Sequence, residues 1–208
     1  MTLAIIGAGR VGQALARALV AKRYRVRFGV PEPDRHAALP GNFKGRATVH
    51  PVAEAVGPVT VVILATPYGA ALQVAREVDD WNGRVLVDAT NPIAPGMQGL
   101  VVGTTSSGAE QIALAARGAR VVKCFNSTGF ENMARPVYRN ASLFMPVAGD
   151  DADARQRVLA LATLIGFDAV DLGALAAARY IEPWAMVWIE MAMRRGHGRQ
   201  FGFVRARR

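Results

Sequence analysis

The chain has 208 residues, of which 51% are hydrophobic and 20% charged, so it can bury the core of one α/β domain with a small appendage. A single cysteine, Cys124, excludes an intramolecular disulfide framework and favours a reducing cytoplasm. Six of the nine net positive charges lie after residue 193, and because no nucleic-acid motif accompanies them, specific nucleic-acid binding is not expected. These six charges are Arg194, Arg195, Arg199, Arg205, Arg207 and Arg208.

The N-terminus lacks the features of a targeting segment. No basic stretch precedes the first apolar run, which argues against a signal peptide. No apolar run approaches the ~20 residues of a membrane-spanning helix, so we expect a soluble chain without a membrane partner.

The first thirty residues predict a strand, a tight turn, a helix and a second strand. Residues 2–6 are an apolar run of strand length, and residues 10–22 repeat apolar positions with helical spacing. Residues 25–30 read as the second strand, which the segment Pro31-Glu32-Pro33 ends. Together they form a βαβ unit.

The same alternation continues through the middle of the chain. Thr66 and Pro67 are suited to open a helix that runs to about Val78, and Ser107 to Glu110 has the form of a capping box. Further strands are expected at residues 47–50, 59–65, 84–88 and 120–125, and further helices at 52–56 and 111–117. Such an alternation predicts a doubly wound parallel sheet of the Rossmann type.

The last third predicts a smaller α/β extension. Strands are expected at residues 143–148 and 167–171 around a helix at 150–165. A final helix at 181–195 is apolar on two faces and therefore has to be covered. Any division of the chain falls near residues 126–140.

The strongest functional motif is the turn Gly7-Ala8-Gly9-Arg10-Val11-Gly12, directly after the first strand. Gly7 permits the tight turn, Gly9 lets a pyrophosphate approach the backbone, and Gly12 lets helix and strand pack closely. The following helix offers N–H donors and a favourable dipole to the phosphates. We therefore predict a nicotinamide dinucleotide-binding domain over residues 1–126, with residues 127–208 as a smaller substrate and dimerisation portion packed on it.

The residues at the end of the second strand do not decide between NAD and NADP. An acid there binds the free ribose 2′-hydroxyl of NAD, whereas an arginine accommodates the 2′-phosphate of NADP. Glu32 and Asp34 favour NAD, while Arg35, and also Arg27 or His36, could pair with a phosphate. All five could equally belong to a solvated loop.

The tips of the fourth and fifth strands carry further candidates. In such folds ligands bind over the carboxyl ends of the strands, so the segments Thr66-Pro67-Tyr68 and Asp88-Ala89-Thr90-Asn91-Pro92 are candidates for contacting the pyrophosphate and the nicotinamide ribose. Thr66 could instead only cap the following helix, and Asp88 could only anchor a turn.

Other chemistries fit the sequence poorly. The segment Gly103–Gly108 has the glycine spacing of a phosphate loop but lacks the required lysine. Cys124 lies in a predicted strand, where a thiol usually packs, and there is no nucleophile elbow. Three scattered histidines predict no metal site: His36, His50 and His197.

Four motifs resemble the coenzyme F420-dependent NADP oxidoreductases, a family of NADPH-dependent F420 reductases and related dinucleotide-binding proteins. They begin at Ala4, Val121, Pro146 and Ala178 and read AIIGAGRVG, VVKCFNSTGFENM, PVAGDDAD and ARYIEPW. The first is shared by many Rossmann proteins, and the other three are more specific. The similarity extends over nearly the whole chain.

The resemblance implies NADP at the glycine turn, a homodimer and a substrate cleft above the nicotinamide. The matching positions near that cleft are Thr66, Pro67, Asn91, Pro92 and Asn126. Relatives usually carry an arginine at the end of the second strand, where this chain has Pro31. NAD therefore remains an alternative to NADP, and Arg35 is the candidate to replace the missing arginine.

We therefore expect an NAD(P)H-dependent oxidoreductase that passes hydride between NADPH and a deazaflavin (F420), a flavin or a small organic acceptor. Because the cofactors carry that chemistry, such an enzyme needs no strong acid or base of its own. The alternative is a non-catalytic dinucleotide-binding redox sensor whose final helix and basic tail meet a partner.

Overall fold

A computed structural model describes residues 1–206 and residue 208, and most of its strands form one eight-stranded sheet. Arg207, one of the six arginines of the tail, lies outside the described residues. The strands of the described residues are β1 Thr2–Ile6, β2 Arg25–Gly29, β3 Ala47–His50, β4 Val61–Leu64, β5 Val85–Asp88, β6 Arg120–Lys123, β7 Val137–Tyr138, β8 Ala141–Ser142, β9 Phe144–Gly149 and β10 Asp168–Asp171. The helices are α1 Arg10–Ala21, α2 Val52–Val56, α3 Tyr68–Glu77, α4 Gly108–Ala115, α5 Phe130–Met133, α6 Ala152–Ile165 and α7 Ala178–Met193.

The sheet has the parallel, doubly wound topology that the alternation predicts. Its strand order is β10-β9-β6-β5-β4-β1-β2-β3, and every neighbouring pair from β3 to β6 is parallel. The chain moves outward from β1 to β3 and then crosses back to continue from β4 to β6. Ligands in such sheets bind beyond the carboxyl ends of the strands, at this reversal between β1 and β4.

Two hydrophobic cores cover the two faces of the sheet. Along β1, Leu3 and Ile5 point into the core shared with α1 and α6, whereas Ala4 and Ile6 point into the core shared with α2, α3 and α4. This period of two explains why the central strands read as continuous apolar runs. The Rossmann-type fold expected from the sequence is therefore confirmed.

Most predicted helix starts agree with the structure, with one correction at α3. Ser107 caps α4, since its Oγ accepts the Glu110 N–H at 3.1 Å, and Asp151 caps α6 by accepting the Ala154 N–H at 2.7 Å. The suggestion that Thr66 caps α3 is wrong, because Pro67 occupies the N-cap position and Thr66 Oγ1 has no hydrogen-bond partner in the described part of the chain. The proline ring fixes the backbone at this N-cap position, so the helix starts without a side-chain cap. The Thr66 hydroxyl therefore remains available to bind a ligand.

The C-terminal third widens the same sheet. Strand β9 pairs antiparallel with β6, and β10 then pairs parallel with β9 beneath α6. The short hairpin β7–β8 precedes them and was not predicted. The division into a dinucleotide-binding domain and a smaller portion stays a prediction.

The tail covers much of α7. Phe203 accepts the Phe144 N–H at 2.8 Å through its carbonyl, and Phe201 accepts the Trp188 indole N–H at 2.9 Å. Trp184 packs on the rings of Phe144 and Phe203. The expectation that a helix apolar on two faces has to be covered thus holds for its tryptophans, while three side chains on it stay exposed: Tyr180, Val187 and Met193.

Across the described residues, every helix falls short of the length and apolar character needed to cross a bilayer.

Candidate dinucleotide-binding site

The glycine turn between β1 and α1 is built for close packing at two positions. Gly7 has φ +104°, and a Cβ there would lie 2.7 Å from the Ala65 carbonyl oxygen. A Cβ on Gly12 would overlap the Gly7 carbonyl oxygen. These two glycines therefore let the turn pass tightly between the ends of β1 and β4.

Gly9 serves a different purpose, because the space beside it is open. A Cβ built on Gly9 would have no described heavy atom within 4 Å, and its φ of −73° suits any residue. Gly9 is the N-cap of α1, where none of the described side chains caps the helix and no acidic residue stands in its first turn. The free N–H groups and the helix dipole can thus meet a pyrophosphate that approaches over Gly9.

The segment after β2 contains an exposed ion pair. Arg35 Nε lies 2.9 Å from Glu32 Oε2, and the two side chains are 75% and 58% exposed. Arg27 instead turns toward α2, where it donates to the Glu54 carbonyl at 2.9 Å. Arg35 thus lies in the segment where the ribose is expected, but its guanidinium is already paired with the Glu32 carboxylate.

His50, at the end of β3, lies beside Arg27. Burial, and then the positive charge of Arg27, lower the pKa of His50. Its imidazole therefore tends to be neutral at physiological pH.

The segments after β5 and β6 are joined by two asparagines. Asn91 Nδ2 donates to the Asn126 carbonyl at 2.9 Å, and Asn126 Nδ2 donates to Asn91 Oδ1 at 2.9 Å. The structure therefore brings these two predicted cleft residues together, although they lie on different segments. Pro92 follows Asn91 and packs near Gly108.

Three polar atoms along this edge have no hydrogen-bond partner among the described residues. They are Thr66 Oγ1 beyond β4, Thr90 Oγ1 beyond β5 and Asn126 Oδ1 beyond β6. Thr90 and Asn126 are only 4% and 6% exposed. A buried polar group without a partner costs about 1–3 kcal/mol, so these atoms are suited to bind a ligand with several hydrogen-bonding groups, such as a nicotinamide nucleotide.

A buried charge cluster, which the sequence analysis did not identify, lies beneath these segments. Lys123 Nζ is 2.9 Å from Asp88 Oδ2 and 2.7 Å from Glu182 Oε1, and all three side chains are fully buried. The Glu182 carboxylate also accepts the N–H groups of Gly108 and Ala109 at 2.8 and 3.0 Å. The sequence did carry a signal for this cluster, because the apolar strands β5 and β6 end on the charged residues Asp88 and Lys123.

The cluster also acts on Tyr68, the first residue of α3. Burial, followed by the charges of Glu182 and Asp88, raises the pKa of the Tyr68 hydroxyl. Tyr68 thus stays protonated and able to donate a hydrogen bond.

An aromatic side chain connects the glycine turn to the tail. The guanidinium carbons of Arg10 and Arg199 lie 5.4 and 5.1 Å from the centre of the Phe130 ring, within the range of cation–π contacts. Arg199 also pairs with Glu131. The tail therefore reaches the neighbourhood of the predicted phosphate site.

The structure bears on three chemistries that the sequence disfavours. The N–H groups at the end of the Gly103–Gly108 segment are taken by the Glu182 carboxylate, so they are not available to a phosphate. Cys124 is fully buried, and burial raises the pKa of its thiol. Within the described residues, no three His, Cys, Asp or Glu side chains are grouped to hold a metal ion.

The chain is similar to proteins of known sequence and structure. Residues 2–92 match the family described as NADP oxidoreductase coenzyme F420-dependent. A candidate F420-dependent NADP reductase from Arthrobacter sp. FB24 superposes with a TM-score of 0.88 at 29% identity, covering 100% of both chains. A hypothetical protein from Sinorhizobium meliloti is 31% identical with a TM-score of 0.77, covering 86% of this chain and 88% of its own.

A mammalian protein also matches, over part of its length. The rat metalloreductase STEAP3 is 30% identical over 179 residues, which are 86% of this chain. The chain spans only about a third of that relative, 35% of its length. The family match, the similarity to the Arthrobacter structure over both whole chains and the glycine turn agree, and residues 2–92 of the chain belong to the family described as NADP oxidoreductase coenzyme F420-dependent.

Proposed function

We propose that this chain binds NADPH at the glycine turn and passes hydride between it and a deazaflavin such as F420, a flavin or a small organic acceptor. The observation that carries the proposal is the pairing of an uncapped helix N-terminus beside the open Gly9 with three buried polar atoms at the same edge of the sheet.

In this proposal the residues divide the cofactor between them. The N–H groups at the start of α1 bind the pyrophosphate, while Arg10 adds a positive charge beside it. Thr66, Thr90 and the Asn91–Asn126 pair bind the nicotinamide half through hydroxyl and amide groups. The bound nicotinamide supplies a hydride, and the protein orients it and excludes water.

The chemistry of this edge supports an acceptor that is itself a redox cofactor. Its unpartnered groups are hydroxyls and an amide. These groups can orient a ligand through hydrogen bonds, but they do not ionise near neutral pH and so are poor general acids and bases. The family description names F420, and the rat relative is named a metalloreductase. F420, flavins and ferric complexes are therefore the first acceptors to test.

The first experiment measures binding and turnover of the wild-type chain. NADPH and NADH are titrated by fluorescence, and each is then incubated with F420, FMN, FAD or a ferric chelate while oxidation is followed. We expect NADPH to bind and at least one mixture to be oxidised above background. Failure to bind either nucleotide would refute the proposal.

Gly9 provides a variant that separates binding from folding. Because a side chain at Gly9 fits the fold, Gly9→Asp should leave the melting temperature nearly unchanged while its carboxylate repels the pyrophosphate. We expect NADPH affinity to fall at least about tenfold, or 1.4 kcal/mol. Gly57→Asp is the matched control, since Gly57 ends α2 away from this edge and a Cβ there meets only ordinary contacts.

A second function would account for binding without turnover. The exposed apolar side chains Tyr180, Val187 and Met193 on α7 could contact a partner, as a redox sensor requires. NADPH binding with no oxidation of any acceptor would favour this alternative.

A homodimer and a cytoplasmic location are also part of the proposal, and gel filtration with light scattering measures the oligomeric state.

A further inference from the structure

The Lys123 ammonium has all three of its protons engaged. It donates to Asp88 Oδ2 at 2.9 Å and to the Thr90 carbonyl at 2.6 Å, and it pairs with Glu182 Oε1 at 2.7 Å. Asp88 and Lys123 are partners in the register between β5 and β6, so both side chains start from the carboxyl edge of the sheet. The ammonium is thus a fixed centre below the candidate cleft.

This centre holds Thr90 by both of its backbone groups. The Thr90 N–H donates to Asp88 Oδ1 at 2.9 Å, while the Thr90 carbonyl accepts from Lys123. The next residue, Asn91, exchanges hydrogen bonds with Asn126. The cluster therefore fixes the peptide that sets the direction of the Asn91 side chain.

Stability alone does not explain so many buried charges. Burying an ion cluster carries a desolvation penalty for each charge, and well-packed apolar side chains of similar volume are often at least as stabilising. A buried ion network can, however, impose one geometry on the segments that it joins. Here the joined segments are those that carry Thr90, Asn91, the start of α4 and α7.

The charge state of the cluster is well defined. Burial by itself lowers the pKa of Lys123, but the Asp88 and Glu182 carboxylates outweigh burial, so the pKa of Lys123 lies above its ordinary value. The two carboxylates thus favour the charged form of Lys123.

We propose that Lys123 is a positioning residue, which, with Asp88 and Glu182, holds the Thr90–Asn91 peptide so that Thr90 and the Asn91–Asn126 pair meet the nicotinamide half of the cofactor. This inference rests on the proposed function. It assigns to a fully buried lysine a role in turnover without contact with the substrate.

The test uses a triple variant that leaves no charge in the cluster, because Lys123→Met alone would leave two carboxylates buried without a cation and could unfold the chain. Combining Lys123→Met with Asp88→Asn and Glu182→Gln removes all three charges and keeps the side-chain sizes. The amide oxygen that Asp88→Asn introduces can still accept the Thr90 N–H, so the bond that Thr90 loses is the one from Lys123 to its carbonyl. Glu182→Gln keeps one oxygen for the N–H groups at the start of α4, so one of those two bonds is lost as well.

We expect the triple variant to lose less NADPH affinity than the about tenfold expected of Gly9→Asp, because the glycine turn is intact and only the contacts to the nicotinamide half are weakened. Its kcat with the best acceptor should fall by about tenfold to a hundredfold, the effect of a misplaced reacting group. Hydrogen exchange of the Thr90 backbone N–H, which donates to Asp88 in the wild type, should become faster.

Arg179→Met is the control for a merely structural effect. Arg179 pairs with Glu110 at 2.6 Å and so joins the same two helices, α7 and α4, without touching Thr90. We expect this variant to lose stability but to keep the kcat of the wild type. An equal loss of kcat in both variants, or an unchanged kcat in the triple variant, would overturn the inference.

Failure of the proposed function is seen separately, in the wild-type chain. If the wild type binds NADPH but oxidises no acceptor with it, the comparison becomes the additional protection that NADPH gives the Thr90 backbone N–H against hydrogen exchange. Protection in the wild type that is lost in the triple variant supports the inference, whereas equal protection in both contradicts it. If wild-type NADPH binding itself is absent, both proposals fail together.

Discussion

Single residues after β2 are expected to set the preference between NADPH and NADH. Arg35 is the exposed cation of this segment, and Glu32 is paired with it at 2.9 Å. A 2′-phosphate must therefore displace a carboxylate, which also repels it. The free 2′-hydroxyl of NADH meets no such competition.

Glu32→Gln should shift the preference toward NADPH by about tenfold, or 1.4 kcal/mol, by freeing Arg35 and removing the repulsion. Arg35→Gln is the matched variant and should weaken NADPH binding while leaving NADH unchanged. Both affinities are read from fluorescence titrations. If Arg35→Gln leaves NADPH binding unaltered, Arg35 does not hold the phosphate and Glu32 becomes the ribose ligand. Stability should hardly change, since exposed pairs contribute about 0–1 kcal/mol.

The residues that sequence reasoning found and missed differ in how far their partners lie along the chain. Gly7, Gly9 and Gly12 were identifiable because the motif and the helix it opens are contiguous. Lys123 and Glu182 were not, because their interaction joins β6 to α7 and depends on how those elements pack. Thr66 was correctly placed at the edge of the sheet, but only the backbone at Pro67 shows that it is not a cap.

At the scale of elements, α4 and α7 are joined by an ion pair that should make stability depend on pH. Arg179 lies beside Glu110 and lowers the pKa of its carboxyl, against the opposing effect of burial. A carboxyl whose pKa is depressed in the folded state contributes stability above its ordinary value of 4.5, and loses it as the pH falls through the folded value. The pair should therefore stabilise the fold at pH 7, and this contribution should be lost progressively as the pH falls below 4.5.

Urea unfolding at a series of pH values between 7 and 3 tests this expectation. Glu110→Gln should lower the unfolding midpoint at pH 7, and its curve should approach that of the wild type at pH 3. Arg195→Gln is the control, because Arg195 pairs with Glu190 at a more exposed site on the C-terminal side of α7. A constant difference between Glu110→Gln and the wild type at every pH would contradict the expectation.

Element types were predictable because their signals are local. The strands β1 to β6 and the helices α1 to α4, α6 and α7 were expected within a few residues of their observed ends. The hairpin β7–β8 was missed because each strand has only two residues, too few to show a period. The antiparallel pairing of β9 with β6 was equally invisible, since a sequence period gives the face of a strand and not its neighbour.

For the whole molecule, the C-terminal tail acts as part of the fold more than as a free basic arm. Phe201 stacks on Trp188 with ring centres 5.4 Å apart, and Phe203 lies 5.2 Å from Trp184. Asn132, which is only 1% exposed, donates to the Phe201 carbonyl at 2.7 Å. Residues 201–203 of the tail thus pack on α7 and bond to β9, where Phe203 accepts the Phe144 N–H.

Replacing both aromatic residues, Phe201→Ala with Phe203→Ala, should lower the free energy of unfolding by about 2–4 kcal/mol, because half-buried rings are removed from two tryptophans. Guanidinium unfolding followed by circular dichroism gives this value, and the tryptophan emission should shift to the red. Arg205→Ala, which removes only an exposed pair with Asp168, should change stability by less than about 1 kcal/mol. An unaltered stability in the double variant would mean that the tail is not a structural element.

The sequence by itself determined the fold class, the place of the glycine turn and the edge of the sheet at which we expect a ligand to bind, because strand periods, helix caps and glycine spacing are properties of neighbouring residues. Only the tertiary structure decided which distant side chains meet. It joined Asn91 to Asn126, placed Glu32 on Arg35, and buried Lys123 between Asp88 and Glu182. The physical reason is that hydrogen bonds and ion pairs act over about 3 Å in space, whatever the distance along the chain.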